Sequence, residues 1–421
     1  MTFVRKLAEH PRYAGTEGEK DAYNLISEEF ERLGCEVAKE ETEYVKSDLF
    51  ITVISLVVPW LFLVFVVASW MVHPLTLALI IVAAALFMSK VFPMLMLDLA
   101  KDKSVNVIAT MNPQEKNRLI ICGHYDSARV MSKFAQKYRR AFMNLQPLFI
   151  LAFVAYVIML FAKGIYTFTV EAFNIGSLAD LTPRMTGAWA VVWWTYVALF
   201  VPFLILVTYG YGTSILAKGL SYGADDNASG IAVMMETARR LEDRKPNLRV
   251  DFACFAAEEK GLFGSTKWVN KHLNELDREH TYVFNIDCVS RGEKFFVYKG
   301  LGTAFKKNSD AMLCNIVADA CSKLNFALEE NWGGNSDHAE FVAKGFRTCA
   351  ISRFDPMKVN LAQATIRKLF RVPLKNDVVP YTDWIHTEDD TVDKVDERKL
   401  EETVQLVVAF VEELNQKVQQ T

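Results

Sequence analysis

The chain has 421 residues, a formal net charge of −3, 51% apolar residues and a positive mean hydropathy. The net charge argues for nothing in particular, but no basic stripe is present apart from a Lys/Arg cluster at 133–140, so no nucleic-acid partner is expected. Seven cysteines without paired spacing exclude a disulfide or zinc-ribbon scaffold and read as reduced, buried thiols.

The first signal in chain order is Thr16-x-x-Glu19, a capping box. Ala22, Leu25, Ile26, Phe30 and Leu33 follow at helical spacing, and Gly34 stops the pattern. CEVAKEETEYV then alternates as an edge strand does. Four apolar stretches account for the hydropathy: Phe50–Val72, Leu75–Leu97, Phe142–Ala162 and Gly187–Tyr209. Each has about the ~20 residues that a bilayer's hydrocarbon core requires. They are expected to form two transmembrane hairpins (four spans), at 49–98 and 141–216, the second with its loop from Lys163 to about Thr186. MTFVRKLAEH shows no secretory leader, so the first stretch reads as a retained anchor. Basic residues in KFAQKYRRAF, with Lys101, Lys103 and Lys218, place the hydrophilic segments on the cytoplasmic side. The expectation is an integral, multi-pass membrane protein with the lipid bilayer as a partner and an undetermined oligomeric state.

The hydrophilic segments 1–48, 99–140 and 217–421 are expected to build one α/β domain. SVNVIATM and RLIICGHYD read as strands, and Ser229–Leu241 as a helix with Ile231, Met234, Met235, Ala238 and Leu241 on one face. LRVDFACFAAEE, TYVFNIDC and FRTCAIS follow as apolar strands, separated by helical stretches at Ser265–Leu276 and Ser309–Leu324. Such alternation predicts a largely parallel or mixed sheet flanked by helices, with its ligand site beyond the carboxyl ends of the strands.

The chemistry-bearing residues fall at those ends. His124 and Asp126 close one strand, and Asp225 and Asp226 lie in a turn ahead of a helix. Glu258 and Glu259 end a second strand, Asp287 ends a third, and His386 sits in the polar loop YTDWIHTEDDT. Adjacent carboxylates after a buried strand repel one another unless a cation or an exposed rim relieves them. Imidazoles with carboxylates and no thiolate suit zinc, manganese or cobalt.

GHYDSA, GADDNASG, AAEEKGLFGS, NID, NSDHAEF and IHTEDDT, in this order, resemble the M28 family of zinc aminopeptidases. The resemblance covers nearly all of the hydrophilic chain, while the hairpins fall outside it, so the whole reads as a membrane-embedded variant. It implies two divalent metal ions, zinc in that family, and a peptide substrate. By the same resemblance His124 and Asp287 hold one ion, Glu259 and His386 the other, and Asp226 bridges. Glu258 is implied as general base, with Asp126 accepting from the His124 imidazole. Asp337 and His338 are implied to shape the site. Some members place a tyrosine directly before the last histidine to stabilise the oxyanion; here Ile385 stands there, near Tyr381, Trp384 and Trp332. Three other readings stay open: a glutaminyl cyclase, a carboxypeptidase using Arg353 or Lys375, and an inactive receptor or scaffold.

Overall fold

The computed structural model describes residues 1–45, 102–173, 219–301, 307–369, 371–372, 376 and 378–420, with single residues and short runs between 79 and 86 and between 187 and 209. A nine-stranded sheet organises it. Its centre is the parallel run β4 (Arg249–Phe255), β3 (Arg118–His124), β5 (Thr281–Ile286) and β10 (Arg347–Lys358). On one side β2 (Asp102–Met111) lies antiparallel to β4, and β1 (Glu36–Tyr44) forms the edge, antiparallel to β2. On the other, β6 (Lys294–Tyr298) is antiparallel to β10 and parallel to β9 (Leu328–Asn331), and β11 (Val378–Tyr381) pairs with the far end of β10. The sheet is therefore mixed, and parallel only where a helix connection returns the chain to the same end.

Burial on both faces explains the continuous apolar strands. Along β3, Leu119 and Ile121 enter one core while Ile120 and Cys122 enter the other. The first core is covered by α2 (Glu17–Arg32), α4 (Gly230–Glu242), α6 (Ala311–Lys323) and α9 (Glu397–Val418). The second is covered by α5 (Phe263–His272) and α7 (His338–Ala343) through Trp268, Val269 and Phe341. All seven cysteines are free and buried.

The membrane expectation is corrected. Among the described residues no helix is long and apolar enough to cross a membrane, which overturns the integral, multi-pass reading. Phe50–Val72 and nearly all of Leu75–Leu97 lie outside the described residues, as do Lys101 and Lys218. The third stretch is not bounded by loops. It lies inside α3 (Lys133–Phe173), a 41-residue helix that contains Pro147 and continues past Lys163, where a loop was expected. The charged start of this helix packs on the sheet domain, with Asn144 and Met143 accepting from Asn360 and Gln363 beside α8 (Leu361–Leu369). Farther along, Tyr156 and Leu160 bury against Ile81, with Trp193 and Phe200 packed on them. Parts of the apolar stretches thus cover one another, while Ile158, Ile165, Phe168, Val191 and Trp194 stay exposed.

The capping box of α2 forms, and it carries a titrating group. Thr16 accepts from the Glu19 amide at 3.3 Å, and Glu19 accepts from the Gly15 amide at 2.7 Å and from the Ser104 hydroxyl. Burial raises the Glu19 carboxyl from 4.5 to about 7, against the lowering effect of those hydrogen bonds. A carboxyl raised in the folded state favours folding below its ordinary value, and that contribution is lost as pH climbs through the folded value. Glu19→Gln, which accepts from Gly15 without ionising, should gain about 1–3 kcal/mol over wild type between pH 5 and pH 8. Urea unfolding at the two pH values measures it; an equal difference at both would contradict the assignment.

Candidate metal centre

The carboxyl ends of β3, β4 and β5 open on one side of the sheet, and each delivers a donor there. His124 is the last residue of β3 and is buried. Glu258 and Glu259 follow β4 by three and four residues, in a loop that turns back into α5. Asn106 fastens this loop, accepting from the Ala256 amide and donating to the Gly264 carbonyl. Gly264 is required there, because a Cβ would collide with the Ala256 carbonyl oxygen. Asp287 follows β5, with its amide on the Ile351 carbonyl of β10 at 3.2 Å.

Asp226 arrives from the other direction, in the turn Ala224–Ser229 ahead of α4, where its peptide bond to Asn227 is cis. Asn227 locks this turn to β5: its side chain donates to the Ile286 carbonyl and accepts from the amides of Gly230 and Cys288. Asp390 accepts from the amides of Asp225 at 2.7 Å and Asp226 at 3.1 Å. Asp225 turns away from the donors and accepts from the indole of Trp384 and from Ser290. His386 adopts a left-handed φ of 59°, and its loop is held by the Met131 amide on the His386 carbonyl and by Arg139 on the Ile385 carbonyl.

Two three-residue groups result, and they share one member. His124 Nε2 lies 3.2 Å from Asp226 Oδ1 and 3.6 Å from Asp287 Oδ1. His386 Nε2 lies 3.1 Å from Asp226 Oδ2 and 3.2 Å from Glu259 Oε1. The two oxygens of Asp226 therefore face different imidazoles, and each of these sets can hold a metal ion. A third arrangement groups Glu258 with His124 and Glu259.

The electrostatics fit cations in these positions. Burial pulls both imidazoles down, but the surrounding carboxylates outweigh it and raise His124 and His386 well above the usual range. Burial pushes Asp226 up, yet the two imidazoles hold it well below the carboxylate range. Glu258 is raised well above its ordinary value by burial, an effect that His124 opposes and Glu259, Asp337 and Asp287 reinforce. Glu259 Oε1 is buried with no well-formed hydrogen bond, its near neighbour being His386 Nε2 at 3.2 Å, and a metal ion between the two would satisfy both. Nitrogen and oxygen donors without a thiolate suit zinc and its neighbours.

Asp126 acts differently from the expected carboxylate acceptor. His124 Nδ1 lies 3.1 Å from the Asp126 main-chain carbonyl and 3.5 Å from its carboxylate. That carboxylate instead accepts from the amides of Glu258 and Glu259, each at 3.1 Å, and so ties the β3 end to the β4 end. Arg12, Asn227 and Asp390 were given no role by the sequence, although the last two lie inside GADDNASG and IHTEDDT, because each works mainly through main-chain groups distant in the chain.

Arg12 is wholly buried, and burial lowers its guanidinium to about 10. It donates to the carbonyls of Leu7, Tyr125, Tyr222 and Gly223, while its amide donates to Ser127 Oγ. One side chain thereby joins the N-terminal segment, the His124 loop and the Asp226 turn. Arg12→Met leaves four carbonyls without their donor and should cost ~3 kcal/mol or more in chemical denaturation. A loss under ~1 kcal/mol would show that water replaces it.

Fold and donor set together define a candidate metal centre at one edge of a mixed α/β sheet. Residues 209–411 match the family model for Peptidase family M28. Aminopeptidase YwaD of Bacillus subtilis is 30% identical over 205 residues, 46% of this chain and 38% of that protein. The chain spans about half or less of the length of the curated relatives it matches. A Zn-dependent exopeptidase from Parabacteroides distasonis shares the fold, with a TM-score of 0.52 at 14% identity over 97% of this chain and 95% of the other. So does a Porphyromonas gingivalis glutaminyl cyclase, with a TM-score of 0.53 at 14% identity over 98% and 96%. These comparisons support the M28 aminopeptidase resemblance and give no support to a membrane-embedded variant.

Proposed function

We propose that the protein is a dinuclear metallo-exopeptidase that removes N-terminal residues from peptides. The observation that carries this reading is the pair of His/carboxylate donor sets sharing Asp226 at the floor of one acidic cavity of about 210 Å³. His124, Asp287 and Asp226 would hold one zinc ion, and Glu259, His386 and Asp226 the other. Bound, the ions would supply Lewis acidity toward the scissile carbonyl and toward the attacking water. Glu258 accepts the water's proton and returns it to the leaving amine. Asp126 holds the amides of Glu258 and Glu259 and so fixes the base relative to the donors.

The charge of the cavity favours an N-terminal over a C-terminal substrate. Its described lining carries five acidic or imidazole donors and Glu258 but no lysine or arginine to meet a substrate carboxylate. Arg353, one candidate for that task, is buried and paired with Glu402 at 2.7 Å; Lys375 lies outside the described residues. Two donor sets where one would serve a cyclase favour hydrolysis.

Mass spectrometry of a free-amine peptide mixture, incubated with zinc-loaded protein, tests the reading. Stepwise loss of N-terminal residues supports it. A 17 Da loss confined to N-terminal glutamine, C-terminal shortening, or no change would replace it with the cyclase, carboxypeptidase or scaffold reading.

A further inference from the structure

His338, the first residue of α7, is 1% exposed, and neither of its ring nitrogens has a hydrogen-bond partner. It lines the same cavity as His124, Asp226, Glu258 and Asp287. Burial lowers the imidazole to about 4, against the opposing charge of Asp287, so at neutral pH it carries one N–H and one lone pair. Leaving both unmet in a buried wall costs free energy, and groups left so at a cavity are explained when a ligand completes them.

Neighbouring polar groups of that wall are paired with one another. Tyr298, whose ring centroid lies 6.3 Å from that of His338, has its hydroxyl on Ser352 Oγ at 2.6 Å. Ser336 Oγ accepts from Asn285 at 3.2 Å. Phe354 and Ile351 supply apolar surface beside them. The imidazole is thus a buried hydrogen-bonding group of that wall left without a partner.

Its place relative to the donors indicates what it meets. A substrate's terminal amine is drawn to the carboxylates of Asp287 and Glu258, and its first side chain begins one bond away. Tyr298, Ser352 and His338 line the same cavity as Asp287 and Glu258. We propose that His338 determines specificity for the first residue, selecting uncharged side chains with a hydrogen-bonding group, of the size of Asn or Thr, over the isosteric Leu or Val. The cavity's small volume limits the size, and the neighbouring carboxylates disfavour acidic side chains. This inference rests on the aminopeptidase reading.

The test compares kcat/KM for four tripeptide amides that differ only in the first residue, Asn against Leu and Thr against Val, on the zinc-loaded full chain. Wild type should favour Asn over Leu and Thr over Val by ~10-fold or more, a ratio set mainly in KM. His338→Phe should abolish or invert both ratios, and His338→Gln should restore the preference. A wild-type ratio near one overturns the inference without any variant, and so does a ratio that His338→Phe leaves unchanged. If no peptide loses its first residue, the aminopeptidase reading itself fails; release without selectivity overturns this inference alone.

Discussion

Glu258→Gln should abolish turnover while leaving the zinc content of the purified protein unchanged. Glu258 belongs to neither of the two sets that share Asp226, and its amide, not its carboxylate, is what Asp126 holds. The substitution removes one proton acceptor and preserves size, so the loop anchored by Asn106 and Asp126 keeps its course. General-base catalysis contributes about 10²–10⁴ in rate, and kcat should fall by at least that much with KM little altered. Adjacent Glu259 cannot take over, since its Oε1 faces His386 at 3.2 Å. The experiment pairs metal analysis with initial rates. Near wild-type activity would assign the base elsewhere, and lost zinc would make Glu258 a ligand.

The donors were legible because position and residue type coincide in them. A carboxylate or imidazole directly after an apolar strand has to project from one sheet edge, so His124, Glu258, Glu259 and Asp287 could be brought together before any coordinate was known. Asp225 and Asp226 look alike in residue type and spacing; the family resemblance singled out Asp226, and the fold separates them: Asp226 faces two imidazoles, while Asp225 accepts from Trp384 and Ser290. Asp126 was half legible. Its proximity to His124 followed from two-residue spacing, but its carboxylate reaches the amides of residues 132 and 133 positions later. Arg12 and Asp390 were illegible for the same reason, since a group that serves carbonyls or amides leaves no pattern of partner residue types.

A parallel or mixed sheet was expected and the sheet is mixed, but which strands run antiparallel was not legible, and the apolar stretches misled on other grounds. Apolar runs report burial on both faces, which β2 and β6 share with the parallel strands, so their antiparallel pairing was hidden. Hydropathy reports the need for cover and not what provides it. Tyr156 and Leu160 find part of that cover in Ile81, Trp193 and Phe200, and the first turns of α3 serve the His386 loop through Arg139.

Asp226→Asn should remove both metal ions, whereas His386→Ala should remove one. The asymmetry follows from the geometry: Asp226 presents one oxygen to each imidazole, at 3.2 and 3.1 Å, while His386 belongs to a single set. An amide keeps the shape but offers one neutral acceptor, and its NH2 turns a donor toward the other set. Ligands that bind only the folded state stabilise it by mass action, about 2.7 kcal/mol per site at a hundredfold excess over Kd. Zinc should therefore raise the melting temperature of wild type most, of His386→Ala by a smaller step, and of Asp226→Asn hardly at all. Protons compete for the same atoms. Because the metal-free imidazoles are raised well above their usual range, zinc affinity and its stabilisation should both weaken as pH falls. Titration calorimetry with zinc on the three proteins reads the stoichiometry directly. Two ions retained by Asp226→Asn would show that the carboxylate does not bridge, and one ion in wild type would leave a mononuclear centre in which His124 and His386 do not both serve as ligands to separate ions.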